Sequence, residues 1–422
     1  MDITSNRNFR SYIGDQAKKF AGSVFAVYDN NSWAFKEVLY EEMPLVVGMT
    51  ANALLKLGIR KGDKVNIHCS NCLEYIYSWF ALGCIGAVMV PTDINLSEKE
   101  WEYILNHSGA KVVITEPNFV NSFKRIRSNC PTVTNVILCK TKKGENEFIL
   151  FSDMVSGAAA ELPEVNVSPQ DDAVIYYARG NEGNPEGVIL TQAYYFYWGE
   201  VISGTLKYCN KEVVIESNQI FNPVYQINSV MGAFLAGSRL VLSEKFDESE
   251  WIHQVGRFAP YWQKKMGRGV VGFLTADQVC KVLAQPSSLR DNKTALRMVM
   301  YTGELSLNQI NLFSNRFQSP MERFFGMPEC PTPFINPVLE SMKTESVGRP
   351  TLGAKVKIVD DRGNEISIGA TGRLAINGGA GLSFCKAYYK NEDKTAKAIK
   401  EGWLYTNIKG KVDGEGYFYL EG

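Results

Sequence analysis

Histidine is scarce in this chain of 422 residues, with only His68, His107 and His253 present. None of them pairs with a serine or cysteine motif, so hydrolases built on a Ser–His or Cys–His pair have little support. An excess of one charge is also missing. The 45 Lys and Arg balance the 45 Asp and Glu, whereas proteins that neutralise nucleic-acid phosphates carry a basic surplus. No nucleic-acid partner is expected. No uninterrupted apolar run reaches the roughly 18 residues of a membrane helix, so no membrane span is expected either. The opening residues, Met1 to Tyr12, lack the apolar stretch of a secretory signal, which points to a cytoplasmic protein. The nine cysteines are an odd number in a long chain, and reduced thiols fit this better than a disulfide framework. Cys69 and Cys72 form a CxxC with no second pair after it. Packing thiols are the first reading there, and redox or metal use the lesser one.

What is present is an ordinary globular composition, 45% hydrophobic and 21% charged. From about residue 43 to 140, helix and strand patterns alternate. Leu45 to Leu57 reads as an amphipathic helix stopped by Gly58. Val65 to His68 reads as a strand, followed by a helix through Trp79 and a strand from Ala87 to Val90. Ser97 and Glu100 form a capping box opening a helix to Asn106. Lys111 to Thr115 reads as another buried strand. This alternation predicts βαβ units and a mostly parallel sheet. It resumes at Ala173–Tyr177 and runs to about 325, with strands expected at Arg239–Leu242, Val270–Phe273 and Arg297–Tyr301. After 345 the pattern becomes strand, turn, strand through Lys355–Val359, Asp361–Asn364 and Arg373–Ile376, a small β-rich unit.

One stretch between two strands, Tyr177 to Val188, contains Gly180, Gly183 and Gly187. Its glycines permit positive φ and close approach of a ligand. Taken alone it suits an ordinary turn as well as a phosphate site, and no Gly-Lys-Ser/Thr closes it as in a Walker loop. Further runs are Tyr301-Thr-Gly-Glu304, Phe324-Phe-Gly-Met-Pro-Glu-Cys330, Gly348-Arg-Pro350, Lys386-Ala-Tyr-Tyr-Lys-Asn391, Gly402-Trp-Leu-Tyr-Thr406 and Asp413-Gly-Glu-Gly-Tyr417. In this order and spacing the chain resembles the adenylate-forming (AMP-binding) superfamily of acyl-CoA ligases, peptide-synthetase adenylation domains and luciferases. It is closest in flavour to the carnitine/crotonobetaine-CoA ligases.

The resemblance implies an α/β large domain of two stacked αβ sheets plus a small distorted β-barrel, ending near the hinge without the C-terminal cap domain. The parts would be residues 1–170, a first αβ subdomain; 171–335, a second with the phosphate loop; and 336–422, the barrel-like unit. It further implies ATP or AMP, Mg²⁺ and coenzyme A as cofactors, with an acyl group activated on AMP and passed to a thiol.

The site residues depart from the family pattern. Hydroxyls and a lysine are expected in the phosphate loop, yet Ala178, Arg179, Asn181, Glu182 and Glu186 stand there. A carboxylate repels phosphate oxygens, whereas a lysine attracts them. The threonine after the glycine of the next motif is Pro328, with Phe325 kept for adenine stacking and Glu329 kept as a weak Mg²⁺ ligand. The ribose-binding aspartate falls at Ile408, which makes no side-chain hydrogen bond. The expected histidines fall at Gln192 and, in the acyl pocket, at Gln226. Gly303 and Glu304 keep the adenine-side turn. These changes lead us to expect an eroded ATP site and a non-catalytic pseudo-ligase. It would hold an acyl or CoA-like ligand, a protein partner or a second copy of itself. The alternative is an active carboxylic acid–CoA ligase with unusual site residues.

Overall fold

The computed structural model describes residues 7–30, 35–144, 147–178, 183–258, 268–288, 291–336 and 343–421. The alternating pattern becomes two large sheets with parallel centres, the first antiparallel at one margin and the second at both. The first has eight strands. Its centre runs through Asp172–Ala178, Val88–Pro91, Lys64–His68, Val112–Thr115 and Asn135–Leu138, with Ile149–Leu150 at one edge. At the other edge Glu186–Thr191 pairs antiparallel with Asp172–Ala178, and Ala387–Tyr388 pairs antiparallel with Glu186–Thr191.

The second sheet has nine strands. Met321–Met327, Leu296–Thr302, Val270–Thr275, Val213–Glu216, Arg239–Ser243 and Val24–Asp29 run parallel. Phe35–Leu39 closes one end, and Cys330–Ile335 with Arg349–Pro350 closes the other. The parallel strands read as near-continuous apolar runs because helices cover both of their faces.

Two helices fill the space between the sheets. Leu73–Ile85 and Gln192–Thr205 are buried almost all round, the condition of a helix packed on every side. Phe9, fully buried at the start of helix Phe9–Lys19, wedges against Trp79, Phe80 and Phe196 at ring distances of 5.8, 5.1 and 5.2 Å. Gly83 makes room for it, since a Cβ there would sit 2.5 Å from the Phe9 ring. Asn71 fastens one sheet to the other. Its amide donates to Asn218 O and Ser243 O, and its carbonyl oxygen accepts from Ile220 N, each at 2.9 Å.

The capping box at Ser97 forms as expected and opens helix Glu98–Ser108. The small β unit is antiparallel. Lys355–Val359, Gly372–Asn377 and Trp403–Val412 lie in order, with Ile399–Lys400 and Phe418–Leu420 beside the last. Its strand order is open among the described residues, so the distorted barrel is here a five-stranded sheet. The strands of two and three residues at its margin do not return to pair with Lys355–Val359.

Candidate active site

A cavity of about 620 Å³ opens where the three sheets meet. Its walls come from separate stretches of chain, each held by local chemistry. The hairpin of Asp172–Ala178 and Glu186–Thr191 places Ala178 directly opposite Glu186 on one wall. A second hairpin, in which Met327 pairs with Cys330, carries Pro328 and Glu329 at its tip. That tip is tied down. Tyr194 Oη donates to Pro328 O at 2.7 Å, Cys385 N donates to Glu329 O at 2.8 Å, and Tyr388 Oη donates to the Glu329 carboxylate at 3.0 Å. Burial, followed by the neighbouring Glu329 charge, pushes the Tyr388 phenol well above its usual range, so it stays a donor.

Helix Glu392–Ala398 supplies two cations. Asn391 caps it by accepting from Lys394 N at 3.0 Å. Lys394 Nζ lies 4.2 Å above the Tyr388 ring and pairs with the Glu186 carboxylate. The exposed Lys397 stands at the cavity edge with no carboxylate partner among the described residues. Arg373 also lines the cavity, but it donates to the carbonyls of Asp361 at 3.1 Å and Asp360 at 3.4 Å. Among the lining residues these three cations accompany Glu186 and Glu329, and the exposed Asp361 carboxylate lies 3.7 Å from Arg373.

The remaining wall is strand Trp403–Val412, through Leu404 to Ile408. Ile408 is half-buried there and packs on the apolar core. Its backbone N donates to Thr406 Oγ1 at 3.2 Å, and Thr406 donates onward to Leu374 O at 2.9 Å.

Glu186, Glu329 and Ile408 therefore share one cavity, and Gly187 adjoins Glu186 on the same strand, closed in by Tyr389 and Ile175. Gly183 adopts φ +91 just before that strand. Gly180, with Arg179, Asn181 and Glu182, lies outside the described residues. The remaining candidates do not line the cavity. Phe325 is half-buried two residues before Met327, which does. Gly303, at φ +91, and Glu304 form an exposed turn after strand Leu296–Thr302, where Glu304 faces Arg323 at 3.5 Å. Gln226 is fully buried, accepting from Tyr195 Oη at 2.6 Å and donating to Tyr75 Oη at 3.3 Å. It opens a six-residue π-helical turn, Gln226–Met231. Gln192 is likewise buried; it accepts from Phe9 N at 3.1 Å and donates to Gly83 O at 2.9 Å, which locks the N-terminal helix onto the core.

Sequence reasoning missed Lys394, Lys397 and Tyr388 as cavity residues. The run Lys386–Asn391 marked the neighbourhood, but only the fold shows that the next helix turns Lys394 toward Glu186 and sets Lys397 at the cavity edge.

A domain of this architecture, with a cavity at the junction of its sheets, has the fold seen in acyl-CoA ligase large domains. The sequence profile of the AMP-binding enzyme family matches residues 14–389, and the chain belongs to that family. It is 28% identical to a crotonobetaine/carnitine–CoA ligase of Salmonella paratyphi A over 425 aligned residues, covering all of this chain and 80% of that protein. The enzyme of the same name from Citrobacter koseri matches equally, at 28% with the same coverage. Among solved structures, the N-terminal domain of FACL13 from Mycobacterium tuberculosis superposes with a TM-score of 0.87 at 21% identity, covering 99% of both chains. The anthranilate CoA ligase AuaEII in complex with anthranoyl-AMP superposes with a TM-score of 0.87 at 18% identity. This covers 98% of this chain and 77% of that one.

Proposed function

We propose that this chain is a ligase-fold protein in which ATP binding is severely weakened and adenylation is lost. Its cavity would retain a binding role toward an anionic acyl or CoA-like ligand. The observation that carries this reading is Ile408 in the cavity wall, at the position where the family pattern has the ribose-holding aspartate. A nucleotide ribose seated there would leave its hydroxyls without the charged acceptor, and charge-assisted hydrogen bonds contribute roughly 1.5–3 kcal/mol each. Glu186 supports the same reading, since its carboxylate stands where a phosphate-binding lysine would be.

The residues fit the family's cofactors only in part. Glu329 offers an oxygen donor suited to Mg²⁺, whereas Phe325, the expected adenine-stacking ring, lies outside the cavity wall. The ribose position does not fit. A second reading, an active carboxylic acid–CoA ligase, draws on Lys394, Lys397 and Arg373, which return to the cavity the positive charge missing at Glu186. The relatives named for crotonobetaine or carnitine suggest a short betaine-type acid in that case. A cytoplasmic location and association with a protein partner or a second copy belong to the same proposal.

Calorimetry with Mg-ATP should give no saturable heat at millimolar nucleotide. Carboxylate-dependent ATP–pyrophosphate exchange should stay at background across short acyl, aryl and betaine-type acids. A micromolar dissociation constant, or exchange clearly above a no-acid control with any acid, would establish the second reading instead.

A further inference from the structure

The CxxC pair is joined by a third cysteine that the linear pattern does not reveal. Cys69 follows strand Lys64–His68, and Cys72 caps helix Leu73–Ile85. Cys139 follows strand Asn135–Leu138. Only Val112–Thr115 separates these two strands in the sheet. Cys139 N donates to Thr115 O at 2.8 Å, and its thiol reaches the same oxygen at 3.1 Å. This folds the third sulfur over the strand end toward the other two. All three sulfurs lie within 4.8 Å of one another. The three residues are at most 2% exposed, and no disulfide joins them.

A buried thiol by itself is a small apolar side chain. Three sulfurs meeting at one point from two chain segments are a ligand set. A metal held by sulfur bonds of about 2.3 Å places three sulfurs roughly 4 Å apart, within the spread found here. Thiolate sulfur selects soft ions, Cu(I) and zinc among them. Zinc almost always takes four ligands, and no further His, Cys, Asp or Glu completes this cluster among the described residues. The nearby Glu116 is engaged by Ser70 and Lys140. His68 bonds to Thr92 and stacks on Trp101. A buried set of three sulfurs suits the cuprous ion, which is stable with three ligands. We propose that Cys69, Cys72 and Cys139 form a buried trigonal site for one Cu(I) ion.

The surroundings moderate the charge of such a site. The N-terminus of a 13-residue helix meets Cys72, and a helix N-terminus favours an anionic group. The thiol protons of Cys69 and Cys72 are directed at the Cys139 sulfur, which lowers its proton affinity, while burial raises that of Cys72. The carboxylates of Glu74, on the same helix as Cys72, and of Glu116 also face the cluster. Binding exchanges thiol protons for Cu(I). The protons pass to solvent, three copper–sulfur bonds form, and copper keeps its oxidation state.

The test uses the full chain, anaerobic and reduced, incubated or refolded with Cu(I) buffered by bathocuproine disulfonate. One Cu(I) per chain should remain after gel filtration, and X-ray absorption should show three sulfur neighbours. Affinity should rise with pH, because the ligands must lose protons. Cys139→Ala and Cys72→Ala should each weaken retention at least a hundredfold. The double variant Cys209→Ala/Cys280→Ala, which removes the two cysteines that are not buried, should leave it unchanged. No uptake by the refolded wild-type chain overturns the proposal. So does copper that follows Cys209 and Cys280, or an oxidised chain 2 Da lighter with no copper. If the alanine variants fail to fold, the sulfur count on the wild-type protein decides alone.

Discussion

Single residues carry the clearest departures from ordinary ionisation. Glu216, fully buried at the end of strand Val213–Glu216, accepts from Asn218 N at 2.7 Å and Asn218 Nδ2 at 2.8 Å. Burial outweighs these bonds and pushes its carboxyl up to about 8. The folded state then holds a proton that the unfolded chain has released above its ordinary value near 4.5. Stability is fully present below that value and is lost as pH rises toward 8. Glu216→Gln keeps the acceptor oxygen and removes the titration. Thermal denaturation between pH 5 and 8 should therefore show a flatter pH dependence for Glu216→Gln than for wild type, with the variant the more stable at pH 8. An unchanged slope would mean that the carboxyl is ionised in the folded protein. Glu322 is raised to about 8 by burial as well, so part of the slope should survive.

Elements decide how the cavity is charged. The ion pair between Glu186 and Lys394 joins a hairpin strand to helix Glu392–Ala398. The Glu186 and Lys394 side chains are 37% and 32% exposed, so solvent limits the pair to about 1 kcal/mol or less. It also neutralises the carboxylate that a phosphate entering the cavity would meet. Glu186→Lys alone would set two ammonium groups side by side and should lower the melting temperature by a few degrees. Adding Lys394→Ala should restore it. We expect Glu186→Lys/Lys394→Ala/Ile408→Asp to bind AMP measurably by calorimetry where the parent does not. If the folded triple variant stays blind to nucleotide, the pocket has closed for other reasons. For the native cavity, Lys397→Ala should weaken a bound CoA thioester about tenfold or more, a loss of 1.4 kcal/mol, measured by the same method. Much of this was legible in the chain. The strands, the capping box at Ser97 and the places of Glu186, Glu329 and Ile408 all rest on local patterns or motif order. The lysines were not legible, because nothing in a surface helix read as text says which wall it will face. Cys139 was hidden for a similar reason, since sheet pairing across Val112–Thr115 brings it to Cys69.

At the scale of the whole molecule, the two large sheets are not separate beads on a chain. Asn71 makes three hydrogen bonds from one sheet to the segment 218–243 of the other. Asn71→Ala strands those buried backbone groups, each costing about 1–3 kcal/mol. Urea denaturation should show a stability loss of several kcal/mol with an unchanged m-value. Phe9→Ala should cost about 3–5 kcal/mol through the cavity left against Trp79 and Phe80. The same interlocking governs how the chain acquires its shape. Val24–Asp29 is inserted beside Arg239–Ser243, with Ala26 opposite Leu240, and the hairpin strand Glu186–Thr191 receives Ala387–Tyr388. Each sheet thus needs a strand synthesised far from its neighbours, and such non-local pairing slows folding. On the ribosome, the first strand can pair with Phe35–Leu39 at once, but its other edge must wait, apolar and uncovered, until Arg239–Ser243 has emerged. This makes the N-terminal segment the part of the nascent chain most in need of a chaperone's protection.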